Sequence, residues 1–318
     1  MKKQKIALLY GGISSEREIS FATGTNVGQT LESLGHDVVY IDTKDRNQLT
    51  RLATDTFDVA YVCLHGKGGE DGKIQGFLET LDIPYTGSGV VSSATAINKA
   101  MTKNIYRVQN IPTSPFVNIK KGFTYDVDDI INKIGDHVVV KAAQEGSSFG
   151  LFIVEGKENI QEAINKALQI DKDVVVEKFI SGKEYTVAVL QKPNKTLESL
   201  PVIQIIPKNE YYDFASKYDE GGSKHICPAE IPEKLTKELQ DIAYRAYKAL
   251  GCRGVARTDF IVDEQGKPWA LETNTLPGMT KTSLVPDAAR AVGISFEELC
   301  EILLEDACNE WYTKTSTR

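Results

Sequence analysis

The chain opens with three short apolar runs, KIALLY (5–10), HDVVYID (36–42) and DVAYVCL (58–64), separated by longer amphipathic stretches. Short apolar strands alternating with helix-period segments are the pattern of a parallel sheet covered by helices. Ser20 to Leu34 places apolar residues near helical spacing and stops at Gly35, a C-terminal cap residue. The stretch predicts a βαβ unit that extends to about residue 96.

A second region begins near Asn98. Ile97 to Gln109 reads as a helix stopped by Ile111-Pro112, because proline removes a backbone donor and restricts the residue before it. His137 to Lys141 and Asp173 to Phe179 read as strands, with Ile160 to Leu168 helical between them, and they bracket the Gly-Ser loop Glu145 to Gly150. From about Ser181 the pattern changes again. Thr186 to Leu190 and Val202 to Ile206 are strand-like, Leu235 to Leu250 is an amphipathic helix, and Ser295 to Ala307 is a closing helix capped by Ser295. Val255 to Val262 and Pro268 to Thr273 form a hairpin around residues 263–267. Lys208 to Ala229 is polar with no sustained period, and a long structureless stretch inside a compact domain is usually functional. Its Tyr, Asp and Lys content suits a loop that covers a substrate. Thr313 to Arg318 reads as a frayed end.

The 318 residues allow two or three domains at roughly 150 residues each. An apolar fraction of 41% with 25% charged residues excludes a mostly disordered chain. Thirty-seven Lys and Arg against 44 Asp and Glu leave −7, which argues against a nucleic-acid face and favours a small anionic substrate or nucleotide. No window reaches the ~20 apolar residues of a membrane helix, and no signal segment precedes Ile6. Five cysteines, an odd number without zinc-site spacing, read as reduced thiols of a cytoplasmic protein.

Three constellations could carry chemistry. In the hairpin, Glu272 and Asn274 are two apart and share a face; if Asp259 pairs with Glu272, Arg257 and Asp259 join it. Three hard oxygen donors suit magnesium shared with substrate phosphates, and an adjacent Arg suits a developing oxyanion. Spacing alone leaves open a solvated face with an Arg–Asp pair. Lys99, Lys141 and Lys178 gather beside the Gly-Ser loop, whose Gly146 and Gly150 let backbone amides approach a phosphate; alone, this is also ordinary for a turn with surface lysines. Gly11 to Glu18 follows the first strand, the usual ligand edge of an open parallel sheet. There Glu16 or Glu18 could hold an ammonium, or Ser14 or Ser15 could merely cap the helix. His65, after the third strand, reads as structural when taken alone.

Taken together, GGISSEREIS (11–20), HGKGGEDGKIQGFLE (65–79), IPYTGSG (83–89), EGSSFG (145–150), EKFISGKEYTV (177–187), YDFASKY (212–218), CPAE (227–230), GVARTDF (254–260) and LETNTLPGMTKTSLVP (271–286) resemble the D-alanine–D-alanine ligase family over almost the whole chain. The resemblance implies an α/β ATP-grasp fold: an N-terminal, Rossmann-like parallel-sheet domain (1–96), then two α+β subdomains (97–180 and 181–318) sandwiching ATP, with a mobile loop at 208–229. It implies Lys99, Lys141, Glu177, Lys178, Phe179, Glu184 and Lys217 as ATP contacts. Asp259, Glu272 and Asn274 become ligands of two magnesium or manganese ions, with a monovalent cation as a further candidate. Glu16, His65, Ser283 and Leu284 match positions that hold the two D-alanines. Glu16, Ser147, Tyr218, Arg257 and Gly278 match the reaction centre.

The implied activity is ATP-dependent joining of two D-alanines through an acyl phosphate for cell-wall peptidoglycan synthesis, by a cytoplasmic homodimer with no nucleic-acid or membrane partner. Tyr218 favours D-alanine as second substrate. The alternative is another ATP-grasp carboxylate–amine ligase, such as one forming D-Ala-D-lactate or D-Ala-D-Ser. Three positions depart from the family pattern: Ala142 where proline is usual, Asn98 where Asp is usual and Thr273 where an apolar residue is usual. Losing the proline is expected to loosen the backbone after Lys141.

Overall fold

The computed structural model of the chain describes residues 2–146, 150–207 and 222–315, with side chains through 309. Ser147, Lys217, Tyr218 and most of the expected covering loop lie outside the described residues.

The opening apolar runs become β1 (Lys5–Tyr10), β2 (Asp37–Asp42) and β3 (Val59–Val62), a parallel sheet in the order β2-β1-β3. Helices α1 (Arg17–Ser33) and α2 (Arg46–Thr54) make the crossovers, and Gly35 ends α1 with φ +91. After α3 (Lys73–Thr80) come two helices around residue 98: α4 (Val90–Ile97), which the periodicity does not single out, and α5 (Lys99–Val108). Asn98 stands between them in extended conformation, and its side chain accepts the Met101 amide at 3.1 Å. It thereby does the capping expected of the usual Asp.

A four-stranded antiparallel sheet follows, in the order β4-β7-β5-β6, from β4 (Phe116–Lys120), β5 (His137–Ala142), β6 (Leu151–Glu155) and β7 (Asp173–Lys178). It is covered by α6 (Val127–Ile134) and α7 (Lys157–Ile170), which close their own apolar cluster over Val138, Val140, Val174 and Val176. The Ala142 amide, which a proline would lack, donates to the Gly150 carbonyl at 3.1 Å and ties the two ends of the Gly-Ser loop together.

The third sheet, also antiparallel, runs β11-β10-β8-β12-β13 with β9 beside β8. Its strands are β8 (Gly182–Gln191), β9 (Leu197–Ser199), β10 (Ile203–Pro207), β11 (Ser223–Ile226), β12 (Val255–Asp263) and β13 (Pro268–Asn274). β11 corrects the reading of 208–229 as structureless: its Ser-Lys-His-Ile run is a short edge strand, whose polar side chains carry no apolar signal. Helix α8 (Glu233–Ala249) covers this sheet, and α9 (Leu284–Ala291) and α10 (Phe296–Thr315) return to the first. Ser295 caps α10, its hydroxyl accepting the Glu298 amide at 3.1 Å. One apolar cluster unites β1 and β3 with β8, β10, α9 and α10, so the two ends of the chain share a core. All five cysteines are free thiols, and burial pushes those of Cys252 and Cys300 up to about 12.

Candidate active site

Strand register assembles the first wall. Asp259 lies directly across from Glu272, and Arg257 from Asn274. Residues alternate faces along a strand, so the intervening Thr258 and Thr273 turn into the core. There they explain one family departure: the Thr273 hydroxyl shares hydrogen bonds with those of Thr258 (2.8 Å) and Tyr106 (2.6 Å), a buried chain that an apolar residue would leave unpaired. On the other face Arg257 donates from Nε and Nη2 to the two oxygens of Asp259, at 2.8 and 2.9 Å. Thr186 on β8 orients the same carboxylate through a 2.6 Å bond to Oδ1. Lys99 Nζ lies 3.4 Å from Glu272 Oε2 and donates to the Glu145 carbonyl at 2.7 Å. Asn274 Oδ1 accepts the Leu276 amide at 3.0 Å, which leaves it a second lone pair. Two carboxylates and one amide oxygen within one register form an all-oxygen donor set of charge −2, which fits a hard divalent cation whose remaining sites are taken by water and phosphate.

This wall faces a cleft of about 300 Å³ that brings together Glu16, His65, Lys99, Arg257, Glu272, Asn274, Gly278, Ser283 and Leu284, each expected from sequence. Glu145, Gly146 and His225 line it as well. Glu16 arrives at the start of α1, behind the turn Gly11-Gly12, where both glycines have positive φ. That turn is fastened by the Arg17–Asp42 ion pair. Its hydrogen bonds overcome the burial that opposes ionisation and hold the Asp42 carboxyl down to about 2. A Cβ on Gly146 would sit 2.5 Å from Glu16 Oε2 and one on Gly66 2.8 Å, so two loops close on that buried carboxylate only because they carry glycine. Ser14 does not cap α1: its hydroxyl donates to the His65 carbonyl at 2.7 Å and accepts the Glu16 amide at 3.2 Å. The His65 ring contacts the Thr23 hydroxyl at 3.0 Å, with Nδ1 3.7 Å from Glu70. Ser283 begins α9, where a helix N-terminus favours a carboxylate, and its Oγ accepts the Thr280 amide at 2.9 Å.

The expected nucleotide residues form a second group. Glu177 on β7 is buried, with Lys141 Nζ 3.0 Å from Oε1 and Lys103 Nζ 3.0 Å from Oε2. Burial opposes its charge, but the two ammonium groups and the Ser114 hydroxyl outweigh it and hold the carboxyl down to about 2. Burial likewise works against Lys141, and the carboxylates of Glu177, Glu272 and Glu184 outweigh it and raise its pKa. Lys178 ends β7 exposed, and the Phe179 ring stacks on His137 with centroids 4.1 Å apart. Glu184 sits on β8 opposite Ile205 and Ile261. Sequence reasoning missed Lys103, Ser114, Glu145 and Thr186. Only Lys103 carries a signal, standing four residues after Lys99 on the same helix face.

A parallel sheet presenting its strand ends to a cleft walled by the hairpin of one antiparallel sheet, with oxygen donors on that wall and a second antiparallel sheet carrying buried Lys141 and Glu177 beside it, is the architecture of an ATP-grasp protein. Residues 44–88 match the family model for the D-ala D-ala ligase N-terminus and residues 105–305 that for its C-terminus. The chain belongs to the D-alanine–D-alanine ligase family. It is 45% identical over 309 residues to the D-alanine–D-alanine ligase of Carboxydothermus hydrogenoformans, covering 94% of this chain and 97% of that protein. It is 43% identical to that of Geobacter sulfurreducens, covering 96% and 95%. Among solved structures, the Bacillus anthracis D-alanine–D-alanine ligase complexed with ATP superposes with TM-score 0.85 at 32% identity, covering 98% of this chain and 99% of that one.

Proposed function

We propose that the protein joins two D-alanines into D-alanyl-D-alanine at the expense of ATP, for peptidoglycan precursor synthesis in the cytoplasm. The observation that carries this reading is the cleft itself, where Glu16, Arg257, Glu272, Asn274 and the start of α9 converge, with Asp259 behind them, bonded to Arg257 and across from Glu272. Glu16 pairs with the ammonium of the first D-alanine, whose carboxylate attacks the γ-phosphorus of ATP to give an acyl phosphate and ADP. Lys99 and Lys141 offset the negative charge of the phosphates. The amine of the second D-alanine, its carboxylate held at Ser283 and Leu284, then attacks the acyl carbon, and phosphate leaves. Arg257 and the Gly278 amide stabilise the intervening oxyanion.

Asp259, Glu272 and Asn274 would hold two magnesium or manganese ions. Their chemistry, when bound, is neutralisation and alignment of the phosphoryl group. Water must be kept out, since it would hydrolyse the acyl phosphate; the segment around Lys217 and Tyr218 is proposed to do this, and Tyr218 supports D-alanine over D-lactate as second substrate. A homodimer and a stimulating monovalent cation complete the proposal. The test is phosphate release from ATP across D-amino and D-hydroxy acids. Release should require both D-alanine and magnesium, and turnover with another acid but none with D-alanine would sink the reading.

A further inference from the structure

Lys103 is the largest charged side chain in the molecule with no exposed surface among the described residues. A lysine is buried this way only when its ammonium is matched, and here it donates to Thr113 Oγ1 at 2.6 Å and Ser114 Oγ at 2.9 Å and pairs with Glu177 Oε2 at 3.0 Å. The acceptors belong to different parts of the fold. Glu177 lies on β7 of the four-stranded sheet. The Thr113 hydroxyl donates to the Ala270 carbonyl at 2.8 Å on β13, two residues before Glu272. The Ser114 hydroxyl donates to Glu177 Oε2 at 2.7 Å. Helix α5, which carries Lys103, begins with Lys99 in the cleft. One ammonium therefore ties together the helix bearing Lys99, the strand bearing Glu177 and the strand bearing Glu272.

The other oxygen of Glu177 has a different situation. Oε1 is buried, with the Lys141 ammonium 3.0 Å away, and has no hydroxyl or amide donor among the described residues. Lys103 and Ser114 thus hold Oε2, and Lys141 faces Oε1.

We propose that Lys103 is a positioning residue for the nucleotide: it fixes the Glu177 carboxylate so that Oε1 and the Lys141 ammonium are presented together to ATP. Without Lys103, Lys141 is the only cation left beside the buried Glu177 carboxylate among the described residues and is drawn into neutralising it. The inference rests on the ligase reading, in which Glu177 and Lys141 contact ATP.

The test is ATP binding by calorimetry, in the presence of magnesium and without D-alanine, for the wild type, K103M, E177Q and the double variant, beside the KM values for ATP and D-alanine. K103M is expected to weaken ATP binding by about tenfold or more while the D-alanine KM moves by less than about threefold. In the E177Q background the same change should add less than about threefold, because its effect runs through Glu177. Wild-type ATP affinity in K103M, an equal loss in both backgrounds, or equal rises of both KM values would overturn the inference. Should K103M fail to fold, S114A decides: it keeps the lysine, removes one bond to Glu177 and should weaken ATP binding about three- to tenfold, and an unchanged affinity would again overturn it. A wild type that binds ATP but does not turn over D-alanine overturns the ligase reading alone, and Lys103 is then judged on ATP binding.

Discussion

Arg257 and Asp259 hold each other through two hydrogen bonds, so the side chain that would stabilise the oxyanion also orients the carboxylate that would ligate a metal. Asp259 Oδ2 accepts the Arg257 Nη2 bond and keeps a second lone pair for a cation, so both roles can be filled with the pair intact. Removing the arginine should thus leave nucleotide binding nearly intact while removing transition-state stabilisation. For Arg257→Ala we expect kcat to fall by about 10²–10³ with ATP affinity within a few-fold of wild type. Near-normal turnover in a stopped or continuous phosphate assay would disprove the oxyanion role. This face was legible in the sequence because strand alternation is a local rule of period two, and Asp259, Glu272 and Asn274 obey it. Lys103 was not, because burial of a lysine depends on partners ten and more residues away, such as Ser114 and Glu177. Likewise, nothing local to Thr186 announces that it will meet Asp259 across two strands.

Among the elements, strands with strong apolar runs and helices with a clear polar face were readable, and those without them were not. Helix α4, Val-Val-Ser-Ser-Ala-Thr-Ala-Ile, is built from small and β-branched residues with no periodic stripe, and β11 is a polar edge strand. At the junction between α4 and α5, Asn98 both ends one helix and opens the next, and the residue after it is Lys99. Asn98→Ala removes the bond to the Met101 amide and should cost about 1 kcal/mol. For a chain of this size that is a drop of roughly 2–4 °C or less in Tm. Asn98→Asp should keep the cap and gain from the helix dipole, so its Tm should match or exceed wild type. Equal thermal midpoints for the alanine and wild-type proteins would show that the cap contributes nothing.

At the scale of the molecule, the family motifs pointed to three domains, but which apolar faces would share a core is long-range information that periodicity does not hold. The two terminal regions fuse: β1 and β3 pack with β8, β10, α9 and α10 in one cluster. Tyr106 and Ile111 lie in the core beneath α8, while Ala100 packs on Ala143 and Val175, so α5 is shared between the six-stranded sheet and the strands that follow it. The β4–β7 sheet with α6 and α7 keeps a cluster that shares no residue with either. We therefore propose that the central body begins near β4 and meets the rest across a seam that combines a small apolar contact, Ala100 against Ala143 and Val175, with the ion pairs Lys103–Glu177 and Lys67–Glu145. Lys67 is about half exposed, and ion pairs of that kind add little, so opening this seam should cost less free energy than opening the shared core. Native-state hydrogen exchange can measure the difference. In the ligand-free protein, amides of β5 and β7 should exchange through a cheaper opening than those of β1 and β8, which should share one protection level. In the proposed binding mode ATP spans the seam and is lost when it opens, so at 100 times its Kd it should raise the protection of β5 and β7 by about 2.7 kcal/mol. Equal protection of β7 and β8 without ligand, or no response of β7 to ATP, would show that the central body is not a separate cooperative unit.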